Sequence, residues 1–330
     1  MLRLLALCLL GLGTACGSAD PQRAEAPRSE SGLEAAPSTV AQAEVTPAAP
    51  PASNTTVVGA PSEAMPDTSE VDPETLDTFR GILEDAAAQD VASRPYGEIV
   101  QWVGEQLIGR PYVAGMLDAP PDEMLVVDLT GFDCVLYIEN VMALARMIAL
   151  GETGYDAYAS NVRTLRYRDG DVAYCSRLHY FTDWILDNER RGSVQNVTAQ
   201  IGGERFDKEI TFMSEHRDSY RQLSDDSAYQ CVVNMEGALA GAELFYIPQD
   251  RIEGAYAMLQ PGDVIATATS IGGLDVTHTG FVHKTDAHTG FMHASLSSNA
   301  VKVSDDLEDY VQGISSQVGI VVARPLDPRG

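Results

Sequence analysis

The chain has 330 residues, enough for one large domain or two small ones with a sizeable core. It carries 48 acidic against 22 basic residues, a formal charge of −26. A protein built to bind a nucleic-acid backbone or an anionic membrane surface needs a basic footprint, and this composition excludes one; the acidity speaks to solubility instead.

Residues 1–16, MLRLLALCLLGLGTAC, combine one arginine, a short apolar run and small residues ending at Cys16. This pattern is a secretory signal, too short for a spanning helix. Small residues directly before a cysteine match the bacterial lipoprotein signal, in which Cys16 is lipidated and becomes the new N-terminus. Gly13 departs from the leucine usual there, and an ordinary cleaved signal is the alternative. Gly17 rather than aspartate follows Cys16, which implies an outer-membrane anchor facing the periplasm in a Gram-negative source. Residues 17–72 are rich in Ala, Pro, Ser and Glu and nearly devoid of aromatics. They cannot bury enough apolar surface to offset ordering entropy and are expected to form a disordered tether. From Pro73 the composition changes, and a single domain is expected over 73–330.

Apolar spacing near 3.6 predicts helices at 73–89 and 96–108. MLVVDL, 124–129, has the density of a short strand. Asp133 is a good N-cap, and CVLYIENVMALARMIAL runs apolar to Gly151, so a buried helix begins at Cys134. A further helix is expected at 177–190 (RLHYFTDWILDNER), then a polar, mixed region to about 230. The last third changes period. VIATATS, GLDVTHTGFVHK, FMHASLSS and QVGIVVARPL read as strands, with a hairpin at 278–296. Helices first and strands last imply an α+β fold with a C-terminal antiparallel sheet.

Three cysteines fall in the expected domain: Cys134, Cys175 and Cys231. In an oxidising compartment Cys175 and Cys231 are available to pair, leaving Cys134 as a thiol; three unpaired thiols is an equally sound reading. There is no CxxC motif, so a zinc ribbon or thioredoxin-type site has no support. Cys134 itself stands at a predicted helix start. It is either a small apolar packing residue or a nucleophile, because the N–H groups and dipole there favour a thiolate and can receive an oxyanion.

A thiol nucleophile needs a base. Four of the six histidines are His278, His283, His288 and His293. Their five-residue spacing places neighbouring members on opposite faces of a strand, which argues against a four-ligand metal cluster. His288 belongs to the turn. In a hairpin with an odd residue-number sum, such as Val282 opposite His293, His278 and His293 share a face and are offset along it. The residues by themselves leave a Cys-His enzyme and a structural cysteine evenly matched.

GRPYVAG, GFDCVLYIE, PGDVIA, HTGFVH and GFMHAS, in that order, resemble the motifs of NlpC-type, papain-like cell-wall peptidases. SRLHYFTDWILDN, KEITFMSEH, SIGGLDVTHTGF and GIVVARPLD add a closer resemblance to the N-acetylmuramoyl-L-alanine amidase-like branch, over roughly 100–327. The resemblance implies a papain-like fold with Cys134 as nucleophile, His278 as base, His293 as its orienting partner and Tyr112 near the attacked carbonyl. It implies no cofactor and no metal. The expected activity is hydrolysis of the muramoyl-L-alanine amide in peptidoglycan fragments, with cleavage after γ-D-glutamate in the stem peptide as the alternative. Trp184 and Tyr180 are candidates to stack on a sugar, and Arg177 or Arg217 to meet a stem-peptide carboxylate; Trp184 is equally a core residue. Glu139, inside the Cys134 helix, needs a partner such as Arg146 or Arg177. A silent wall-binding protein and a transferase on the same thiol fold are the readings of a different class.

Overall fold

The computed structural model describes residues 71–120 and 122–330. The signal, the lipidation at Cys16 and nearly all of the tether lie outside the described residues. Among the described residues no helix is long and apolar enough to cross a membrane.

The first part is helical: α1 (Pro73–Ala88), α2 (Tyr96–Gln106), α3 (Cys134–Leu150), α4 (Tyr155–Arg166) and α5 (Phe181–Arg190). The central element is α3. Asp133 Oδ1 caps it by accepting from Val135 N at 3.0 Å and Leu136 N at 2.8 Å. Gly151, at φ 69°, ends it in the left-handed region that glycine enters without penalty. Thirteen of its residues are buried, so it is enclosed by α2 and α4 on its flanks and by the sheet. That all-round apolarity is what a core helix requires.

The expected strand at 124–129 does not form; these residues run without regular secondary structure. Their apolar side chains are used differently: Leu129 is buried and Leu125 and Val127 pack on the helical core. The helix expected from 177 starts only at Phe181, because the preceding residues are held extended, with Leu178 N bonded to Arg166 O at 3.0 Å. The polar region after α5 folds into β1 (Val194–Asn196), β2 (Glu204–Arg205), α6 (Phe212–Glu215) and α7 (Asp226–Leu239). Cys175 and Cys231 form a disulfide that ties the segment before α5 to α7.

The remaining elements are β3 (Phe245–Pro248), α8 (Ile252–Ala255), β4 (Val264–Thr269), β5 (Val276–Lys284), β6 (Thr289–Ser295), β7 (Ala300–Ser304), α9 (Leu307–Gln312) and β8 (Gln317–Pro325). The strands form an antiparallel sheet in the order β2-β3-β8-β4-β5-β6-β7, with β1 also on β8. The protein is therefore α+β, with its helices N-terminal and its antiparallel sheet C-terminal. One face of the β5–β6 hairpin, carrying Phe281, Met292 and Ala294, packs with α2 and α3. The other carries Val282 and Phe291 against α9. The hairpin register pairs Val282 with Phe291. It has the expected parity but is shifted by two residues from the example of Val282 opposite His293.

Candidate active site

The chain reaches the nucleophile position from two directions. Residues 109–113 form a short connector, with Gly109 N on Val301 O at 2.9 Å and Val113 N on Phe132 O at 2.9 Å. An isolated parallel bridge sets Tyr112 beside Phe132, two residues before Cys134. Cys134 then opens α3. From the sheet side, Thr279 Oγ1 donates to the Cys134 carbonyl at 3.0 Å. That bond pins the first turn of α3 to β5, one residue from His278.

A bulge precedes His278. Thr267 pairs with His278 but Ala268 pairs with Val276, leaving Thr277 as the extra residue of β5. Residues Val276, Thr277, His278 and Thr279 consequently all border one cavity, which the strict alternation of a regular strand would not permit. His278 Nε2 lies 2.7 Å from His293 Nδ1 on β6, and His293 Nε2 lies 3.1 Å from Ser304 Oγ on β7. The His293 ring lies flat against Phe291, with centroids 4.6 Å apart. Both histidines are almost fully buried.

The cavity has a volume of about 600 Å³. Its borders include Cys134, His278, Tyr112, Arg177, Tyr180 and Asp275. Residues 114–119 form one wall, held by two arginines. Arg177 donates to Leu117 O at 3.1 Å and to Asp118 Oδ1 at 2.7 Å; Arg221 donates to Asp118 O at 2.8 Å and to Pro120 O. The cavity's volume suits a ligand of several sugar or amino-acid units, and its lining is mostly apolar with a few polar groups set among it.

With this geometry in view, the comparisons with known proteins are specific. The model of the N-acetylmuramoyl-L-alanine amidase-like (AmiA-like) family matches residues 102–320. The chain belongs to this family. A crystal structure of an N-acetylmuramoyl-L-alanine amidase from Bacteroides uniformis is 32% identical, covers 70% of this chain and 99% of its own, and superposes with a TM-score of 0.66. A Bacteroides fragilis protein provisionally called a xylanase is 31% identical over 68% of this chain and 99% of its own, with a TM-score of 0.63. A Legionella pneumophila protein, 19% identical over 79% of this chain and 97% of its own, shares the fold at a TM-score of 0.58. Among curated proteins none matches the chain.

In this amidase-like chain, burial governs the charges around the cavity. It raises the pKa of Asp133, partly offset by the bonds from Leu136 and Val135, and raises that of Asp275 against the bond from Thr182. Burial, with the charges of His278 and Lys302, lowers His293 to about 2, so that ring is neutral. Burial and the Arg177 charge lower His179 to about 3; its Nε2–H donates to Tyr174 O at 2.7 Å. Glu139 takes Arg166 as its partner, at 2.6 Å from Nε, rather than Arg146 or Arg177. Both side chains are 1% exposed. Burial raises the Glu139 pKa and Arg166 opposes it.

The candidate substrate residues separate. Arg177 and Tyr180 border the cavity; Trp184 and Arg217 do not. Trp184 is 1% exposed and stacks on Phe181 at 4.8 Å, with its indole N–H near Glu139 but outside hydrogen-bond geometry. It is a core residue because α5 turns its apolar face inward. Arg217 lies over the Tyr229 ring at 4.3 Å and pairs with Asp226 at 2.6 Å. Four residues later, Arg221 reaches the cavity instead. Tyr180 donates to Glu236 at 2.8 Å and accepts from Met213 N at 2.7 Å, so its hydroxyl is committed to structure. Sequence reasoning missed Asp118, Tyr174, Arg221 and Asp275. Only Asp275 stood inside a quoted motif, SIGGLDVTHTGF; the others come from loops whose placement no periodicity announces.

Proposed function

We propose that this protein is a cysteine-dependent amidase that hydrolyses the bond between N-acetylmuramic acid and L-alanine in peptidoglycan fragments. One observation carries the reading: Cys134, at a capped helix start, and His278, which is hydrogen-bonded to His293, border the same cavity. Family membership supports peptidoglycan as the substrate class. A nucleophile opening a buried helix, packed on antiparallel strands that carry the histidines, also supports a papain-like fold of the NlpC type.

The mechanism follows from the groups present. His278 takes the thiol proton, and the Cys134 thiolate attacks the amide carbonyl. Asp133 already occupies the N–H groups of Val135 and Leu136. The oxyanion therefore falls to the Cys134 N–H and the Tyr112 hydroxyl. His278 returns its proton to the leaving amine, and water then cleaves the thioester with His278 as base. For the peptide part, Arg177 is already compensated by Asp118 and by Glu123, 3.6 Å away. Arg221 spends its hydrogen bonds on carbonyls and keeps its charge for a substrate carboxylate.

The test incubates the protein and its Cys134→Ala variant with a disaccharide-tetrapeptide and weighs the products by mass spectrometry. Free disaccharide plus intact tetrapeptide, absent with the variant, is the expected result. A disaccharide-dipeptide identifies a γ-D-glutamyl endopeptidase instead, and no cleavage points to a wall-binding role or another acceptor. The N-terminal pattern ending at Cys16 supports an exported, lipid-anchored protein, placed at the outer membrane in a Gram-negative cell; the mass of the mature N-terminus tests it.

A further inference from the structure

We infer that Ser304 is a positioning residue: its hydroxyl accepts the Nε2–H of His293 and so holds the histidine pair in the arrangement that leaves His278 a base. The inference rests on the reading that Cys134 and His278 are nucleophile and base.

Strand geometry creates the relay. Phe291 pairs with Val282 on one side and with Ser304 on the other. His293 pairs with Lys302, so Ser304 lies diagonally across from it. Continuing the β5–β6 register sets Gly280 opposite His293, which makes His278 its diagonal neighbour on the other side. Side chains alternate along a strand, so His278, His293 and Ser304 share one face of three adjacent strands. The links are 2.7 Å from His278 Nε2 to His293 Nδ1 and 3.1 Å from His293 Nε2 to Ser304 Oγ. The Tyr310 ring of α9 stands 4.7 Å from His293 and 6.1 Å from His278. Among the described residues, titratable groups near the pair include Lys302 of β7, and Cys134 of α3 and Asp275, which border the cavity with His278.

Proton counting then selects between two arrangements. His293 is neutral and carries one N–H. With its proton on Nε2, His293 donates to Ser304 and accepts, at Nδ1, the Nε2–H of His278. His278 Nδ1 is then unprotonated. It takes the thiol proton, and the resulting imidazolium still donates its Nε2–H to a neutral His293. With the His293 proton on Nδ1, the shared bond reverses. His278 Nε2 becomes the acceptor, its own proton sits on Nδ1, and no base faces the thiol. The Ser304 hydroxyl can pair with His293 Nε2 in either arrangement, but only the first depends on it. Without that acceptor the Nε2–H would be buried and unpaired, whereas a bare ring nitrogen there leaves no orphan donor.

Ser304→Thr and Ser304→Val differ by a hydroxyl at nearly constant shape, and both suit a strand. Each is compared with the wild-type protein in two measurements. The first is the pH profile of kcat and KM on the disaccharide-tetrapeptide. The second is NMR of nitrogen-labelled histidine, with His293→Asn identifying the His293 signals. We expect Ser304→Val to lose kcat by about tenfold or more with KM within about twofold, and Ser304→Thr to keep most of it. The proton should reside on His293 Nε2 in the wild-type and threonine proteins and move to Nδ1 in the valine protein. Equal kcat for the two variants, or a wild-type proton on Nδ1, overturns the inference. The NMR result needs no substrate: if it holds while the wild-type protein cleaves no muropeptide, the amidase reading fails and the role of Ser304 in setting the tautomer stands. Should circular dichroism show Ser304→Val unfolded, Ser304→Ala takes its place in both measurements under the same criteria.

Discussion

Glu139 and Arg166 sit one and a half turns behind the nucleophile, a carboxylate and a guanidinium with no measurable exposure to share with water beyond 1% each. Such a pair is held by mutual charge and hydrogen bonding, and removing one member strands the other in a low-dielectric interior. Glu139→Ala should therefore destabilise the protein by about 3–5 kcal/mol in urea titration. Glu139→Leu combined with Arg166→Met should recover most of that loss, because two apolar side chains leave no orphan charge. The cavity offers a contrasting residue. Arg221→Gln should cost little global stability, since its bonds to Asp118 O and Pro120 O are exposed. It should raise KM by about tenfold, through loss of the charge that meets the substrate carboxylate and of its hold on the cavity wall. A KM equal to that of the wild-type protein would remove Arg221 from the proposed recognition.

At the scale of elements, the start of α3 and the β5–β6 hairpin carry the chemistry. Asp133 satisfies two N–H groups that the helix leaves orphaned. Asp133→Ala should cost about 0.5–2 kcal/mol in stability and should lower kcat more than it raises KM, since Cys134 loses its fixed placement. Asp133→Asn keeps an acceptor and should retain most of the stability. In the hairpin, Gly280 has another task than turning the chain. A Cβ there would lie 2.6 Å from the Phe291 ring and 2.6 Å from Met292 O. Gly280→Ala therefore forces Phe291, the floor beneath His293, out of position. The expected outcome is a lower kcat together with a lower melting temperature, read by kinetics and by thermal unfolding.

Across the whole molecule, two constraints set how conditions act. The Cys175–Cys231 disulfide joins residues 56 apart and ties the cavity wall around Tyr174 and Arg177 to α7. Replacing both cysteines by serine should cost about 2–4 kcal/mol, measured by urea titration, and raise KM as that wall loosens. The second constraint is pH. His179 and His293 have folded pKa values of about 3 and about 2, depressed from 6.5, so between those values and 6.5 the unfolded chain binds more protons. Stability is then full above about 6.5 and declines as pH falls, by up to about 1.4 kcal/mol per pH unit for each histidine. His179→Gln, which keeps a donor for Tyr174 O, should flatten part of that decline in urea midpoints taken from pH 8 to 4.

The sequence by itself determined the local features. Asp133 and Gly151 marked both ends of the nucleophile's helix, since capping depends on neighbouring residues only. The runs THTGFVHK and FMHAS announced a hairpin, and an odd parity would put His278 and His293 on one face; the observed register supplied that parity. Order-preserving motifs named the family. Tertiary structure alone decided what depends on contacts between distant residues. MLVVDL has the density of a strand, but no neighbour offers it a ladder, and its apolar side chains pad the helical core. Trp184 and Arg217 have the right chemistry for a sugar or a carboxylate, yet burial removes one and Asp226 engages the other. Arg166 rather than Arg146 or Arg177 meets Glu139, and Cys175 meets Cys231, because chain folding chooses partners by position in space, which no periodicity encodes.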